Sequence, residues 1–166
     1  MDPFFLWLES TSFSTWMREE PSIWAFPMIL AVHTIGMALI VGIGVALDLR
    51  ILGVGRDVPI REMKRFFVPM WVGFWLNVFS GVALLVAYPT KALTNPVFYT
   101  KLGLIAIALV LFQTIRRRLF RDGAASANPL PARLRLLAAA SIVCWASAIT
   151  AGRLLAYTYT RLMATF

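Results

Sequence analysis

Residues 23–47 read IWAFPMILAVHTIGMALIVGIGVAL, a long apolar run without one charged residue. The hydrocarbon core of a bilayer is about 30 Å thick and takes roughly 20 helical residues to cross. The run exceeds that length and predicts a transmembrane helix. Its most polar member is His33, the only histidine in the chain. An imidazole in the middle of such a helix is costly in hydrocarbon unless it has a partner or a ligand, which makes His33 the first candidate site residue.

Three further apolar runs follow at 66–88, 97–115 and 134–157. With 60% hydrophobic and only 14% charged residues in a chain of 166, the expectation is an all-α integral membrane protein. The four transmembrane helices would form a single bundle, one membrane domain over 1–166. Residues 1–20 do not read as a signal peptide, because the apolar stretch is short and Asp2 and Glu9 interrupt it. They predict an amphipathic interfacial helix, capped by Asp2 with Pro3 in its first turn. Phe5, Leu8 and Trp16 would share one side of that helix, with Glu9 and Arg18 in water.

The net charge of +8 raises nucleic acid as a partner, but its distribution argues against that. Arg50, Arg56, Arg61, Lys64 and Arg65 fall in the connection 48–65. Arg116, Arg117, Arg118, Arg121, Arg133 and Arg135 fall in the connection 116–135. Both connections are expected to be cytoplasmic and both termini outside, since Lys and Arg concentrate on the inner side of a membrane. Asp48 would pair with one of these cations and pin the end of the first helix. A single cysteine, Cys144, excludes an intrachain disulfide and a cysteine-built metal cage.

At about 1.5 Å of rise per residue, His33, Asn77, Cys144 and Ser147 arrive at similar depth from three helices. One reading is an interhelical hydrogen-bond cluster, with Asn77 or Ser147 as the partner of His33. The other is His33 as axial ligand to a b-type heme held between helices. Gly36, Gly42 and Gly44 with Gly73 and Gly81 would let a flat macrocycle approach the backbone, or would simply let helices pack closely. Lys101 and Arg153 lie one or two turns outward of His33. Each would either meet a heme propionate or snorkel to the headgroups. Met28 and Met37 share the helix of His33 and cannot supply a ligand on the opposite face of the ring, so the iron would be five-coordinate or take its other ligand from a weak donor or a partner subunit. Copper is the alternative metal, with Met17, Met28 and Met37 beside His33. Trp24, Trp71 and Trp75 suit an aromatic belt, or the wall of a quinone site.

The strings His33–Thr34–Ile35–Gly36, Asp48–Leu49–Arg50–Ile51–Leu52–Gly53, Asn95–Pro96–Val97–Phe98 with Lys101–Leu102, and Gly152–Arg153–Leu154–Leu155–Ala156–Tyr157 carry a resemblance over most of the chain. They resemble an uncharacterised bacterial family of small four-helix inner-membrane proteins, which implies the bacterial inner (plasma) membrane as location. More distantly, His33, Gly36 and Lys101 are similar to patterns in copper-resistance D-like proteins and heme-dependent protoporphyrinogen oxidases. Those relatives imply a small bundle that carries heme or moves copper. The oxidases have further histidines, and the matching stretch here offers Gln113 instead, so ligation by two histidines of one chain is excluded.

The resulting expectation is a heme b-binding redox or electron-transfer membrane subunit. His33 would ligate iron, Lys101 and Arg153 would hold the propionates, and Gly36 and Asn77 would line the site. The alternatives are a non-enzymatic subunit or anchor, packed against another membrane protein or a second copy of itself, and a copper-handling protein. The pattern implies no catalytic residue.

Overall fold

The computed structural model describes residues 3–127 and 130–163, and within them every regular element is helical. Four helices are long and apolar enough to cross a membrane: Phe26–Leu52, Ile60–Ala87, Pro96–Phe120 and Ala132–Leu155. Two short helices precede them, α1 (Pro3–Glu9) and α2 (Ser12–Glu19). The first long helix is α3 (Phe26–Leu52), and a 3₁₀ turn at Ile60–Phe66 leads into α4 (Phe67–Ala87). A single turn, α5 (Pro89–Leu93), separates α4 from α6 (Pro96–Phe120), and α7 (Ala132–Met163) closes the chain.

Helix ends follow local chemistry. α3 stops at Gly53, whose φ of 107° is open to glycine, and Val54 N–H donates back to the Leu49 carbonyl at 2.9 Å. α6 starts at Asn95, whose side-chain oxygen accepts from Val97 N–H at 2.9 Å ahead of Pro96 in the first turn. The Asn95 amide then donates across to Thr158 Oγ1 at 2.9 Å, tying α6 to α7.

The long helices form two sequence-local hairpins, α3 with α4 and α6 with α7, joined where α3 meets α7. α3 and α4 cross at two glycines. A Cβ on Gly36 would lie 2.8 Å from both Asn77 N and Gly73 O, and one on Gly73 would lie 2.5 Å from Leu39 Cβ. Only hydrogen fits between these backbones. The end of the bundle carrying the arginine-rich connections, the basic end, holds an apolar core of Leu47, Ile51, Met70, Phe112, Ile115 and Leu134. Phe67 packs edge-on against Phe112 and Phe120 there.

The opposite end is capped by α1, α2 and α5. The expected single helix over 1–20 is two helices, broken where Thr11 turns to cap α2 by accepting from Ser14 N–H at 3.4 Å. Its docked face is also different from the expectation. Ser14 and Met17 are buried, with Ser14 Oγ 3.3 Å from the Ala87 carbonyl. Trp16 points outward with Phe4, Trp7 and Phe13. Glu9 and Arg18 pair with each other, and Arg18 also donates to the Glu9 carbonyl at 2.7 Å. Asp2 lies outside the described residues.

Three of the long helices run past their expected ends at the basic end. α3 continues to Leu52 and α6 to Phe120, and α7 begins at Ala132. Asp48 therefore lies inside α3, fully buried, and among the described residues no basic side chain pairs with it. One more helical turn rotates it away from the loops and toward Ser141 of α7, whose buried hydroxyl is the polar group that interacts with it. Along all four long helices, side chains such as Val68, Phe79, Val110, Leu136 and Val143 are exposed. So large an apolar exterior needs a covering other than water.

Gly36→Val should lower the stability of the detergent-solubilised chain by about 1–3 kcal/mol, because the added atoms meet backbone that cannot give. Gly42→Ala, with nothing within 4 Å of its Cβ, should leave thermal unfolding unchanged or slightly raised. The two melting curves recorded side by side check the crossing point.

Candidate functional site

Toward the capped end the four long helices enclose a cavity of about 630 Å³, lined almost wholly by apolar side chains. That is within the range of a small-molecule or cofactor site. His33, Asn77, Lys101, Lys91 and Tyr88 supply polar groups to a lining that is otherwise made of residues such as Phe74, Phe98 and Trp145.

His33 is held from both sides by α4. The Asn77 amide donates to the His33 backbone carbonyl at 2.9 Å, and the ring nitrogen Nδ1 lies 3.1 Å from Ser80 Oγ. Ser80 settles the proton. Its hydroxyl donates to the Leu76 carbonyl at 2.5 Å, one turn back on its own helix. With its one proton committed there, the oxygen accepts from His33 Nδ1–H. The lone pair then resides on Nε2, for which no hydrogen bond is found among the described residues, and His33 lines the cavity. An imidazole presenting Nε2 while Nδ1–H is anchored is the arrangement in which histidine binds a metal. Gly81 makes room for the ring, since a Cβ there would sit 3.2 Å from His33 Cε1.

Lys101 enters the cavity from α6 and lies along Gly152 of α7, where an added Cβ would be 3.5 Å from Lys101 Cε. The structure thus brings together His33, Asn77 and Lys101. It does not bring in Arg153. Gly152 faces Lys101, and the next residue turns about 100° around the helix, leaving Arg153 exposed outside the cavity. Gly36 is also absent from the lining, because it is spent on the contact with Gly73.

Neither expected partner of the His33 ring is the observed one. Asn77 reaches the backbone instead, and Ser147 is not among the cavity residues. Ser80 was missed, and a visible signal existed: Asn77, Ser80 and Gly81 recur at helical spacing on the face of α4 that also carries Gly73. Lys91 of α5 also lines the cavity, although it falls between two of the apolar runs.

The copper set is dispersed. Met37 lines the cavity, Met28 is exposed, and Met17 is buried under α2. No group of three or more His, Cys, Asp or Glu side chains able to hold a metal occurs among the described residues. Trp71 and Trp75 do not wall the cavity. Trp145 does, and its indole Nε1 is buried without a partner near Gly44.

Compared with known proteins, the model of a family of unknown function, DUF6644, matches residues 4–158. No curated protein and no solved structure matches the chain.

¹⁵N chemical shifts of His33 should report a neutral ring protonated at Nδ1. Ser80→Ala should convert this to a mixture of tautomers, and a parent ring protonated at Nε2 would refute the assignment.

Proposed function

The chain belongs to that family of unknown function, and from its site we propose a multi-pass membrane subunit that binds a b-type heme for one-electron redox chemistry. The observation that carries this reading is the His33 ring, which lines a large apolar cavity and is anchored to Ser80 through Nδ1–H, so that Nε2 is the nitrogen left for a ligand. A macrocycle needs apolar walls for its faces, one nitrogen for its iron and cations for its carboxylates. Lys101 keeps the role expected of it, and Lys91, which also lines the cavity, takes the one first considered for Arg153.

The donor set fits a single protein ligand. With one histidine in the chain, His33 would be the only imidazole this chain offers to the iron. Heme supplies the one-electron couple when bound. The protein's own residues do the rest: Ser80 orients the imidazole, the Asn77 bond fixes its stretch of α3 against α4, and the apolar lining excludes water and keeps the local dielectric low.

We place the four long helices across a bacterial inner membrane with the basic end in the cytoplasm. This is supported by the arginine-rich connections at that end and the aromatic side chains of α1 and α2 at the other. Redox exchange would then occur nearer the outer face, where the cavity lies.

Purified after expression with heme supplementation, the chain should show a Soret band that shifts on reduction with dithionite. His33→Ala should abolish the band. Ser80→Ala should keep it while weakening heme retention about 10- to 100-fold, the usual cost of losing an outer-shell partner, and Arg153→Ala should leave it unchanged. A colourless parent after heme supplementation defeats the reading.

A further inference from the structure

At the basic end a second pocket, of about 730 Å³, opens between the end of α3, the connection that follows it and the start of α7. Four guanidinium groups line it: Arg50, Arg56, Arg61 and Arg135. Among the described residues no carboxylate does. The ion pairs found in the structure, Arg18 with Glu9 and Arg65 with Glu62, involve none of Arg50, Arg56 and Arg135.

The basic wall is built rather than draped. Arg50 donates through Nε to the Val58 carbonyl at 2.6 Å and through Nη2 to the Arg56 carbonyl at 2.9 Å. Arg56 Nε reaches the Gly53 carbonyl at 3.3 Å. These bonds wrap residues 53–58 around Arg50, with Gly53 and Gly55 at positive φ letting the chain turn back. Each guanidinium carries five N–H donors, so Arg50 and Arg56 both keep donors beyond those the loop uses.

The start of α7 adds to the same field. A helix amino end carries partial positive charge and favours anions, yet the first turn of α7 holds Arg133 and Arg135 and no acid. Like charges gathered on one another and on the wrong end of a helix are unfavourable until an anion joins them. The remainder of the lining is apolar, including Ile51 at the floor and Leu130 at the rim.

We propose that this pocket binds the phosphoryl group of an amphipathic or soluble phosphate ester, held bidentately by Arg56 and Arg135 over an apolar floor. Arginine pairs with phosphate through two parallel N–H bonds. Basic pockets between membrane helices are established places for anionic headgroups. The source of the phosphoryl is either an anionic phospholipid or a free phosphate compound, and this site stands independently of the heme reading.

The test is native mass spectrometry of the full detergent-purified chain, titrated separately with phosphatidylglycerol, phosphatidylcholine and inorganic pyrophosphate. Phosphatidylglycerol retained at least 10-fold more tightly than phosphatidylcholine, with pyrophosphate inert, identifies the lipid source. Pyrophosphate binding that competes with phosphatidylglycerol identifies a soluble phosphate. In either case the double variant Arg56→Gln, Arg135→Gln should lose the preference. The double variant Arg117→Gln, Arg121→Gln, which removes the same charge outside the pocket, should keep it. Equal retention of both lipids without pyrophosphate binding, or equal losses in the two double variants, overturns the proposal. Arg50 is left intact because it also holds the loop.

Discussion

The close approach of α3 and α4 at Gly36 and Gly73 is the contact from which the rest of the site is measured. Two glycines let the backbones come near enough for the Asn77 amide to reach the His33 carbonyl. One turn further along, the same spacing lays the imidazole over Ser80 and Gly81. In a bilayer, where no hydrophobic force would drive helices together, such packing and interhelical hydrogen bonds would have to carry the association. A single added methyl at either glycine would therefore act on the orientation of His33 as well as on stability.

The hydrophobic runs made the four long helices legible, because length and apolarity are one-dimensional properties. Helix ends were less so. Arg116, Arg117 and Arg118 read as loop, yet they continue α6 to Phe120 because a helix can carry basic side chains in its last turn. The same error at α3 sent Asp48 to the loops, whereas the helix carries it inward beside Ser141. Phase around a helix was the larger difficulty. Lys101 and Arg153 sit at similar depths and look alike in sequence, but only packing decides which of them faces inward. Gly152 settles it by offering a flat surface to Lys101.

Ser80 shows why a serine in a membrane helix is easily overlooked. Most such hydroxyls bond the carbonyl one turn back and do nothing else. Ser80 makes that bond too, and it is the bond that leaves its oxygen free to accept from the histidine. A routine local interaction thereby becomes a proton-orienting one. Gly36 lies outside the cavity lining for a related reason: a glycine records that something comes close, and here the something is another helix.

The division into two hairpins has a consequence for how the molecule assembles. α3 pairs with α4 and α6 with α7, each with its chain neighbour, so both pairs are short-range in sequence and can form early and independently. His33 and Ser80 belong to the first pair, Lys101 and Gly152 to the second. The cavity between them exists only after the pairs have docked. Any molecule that fills it binds the docked state and not its halves, and so shifts the assembly equilibrium toward completion by mass action. A ligand in this cavity would thus also fasten the bundle.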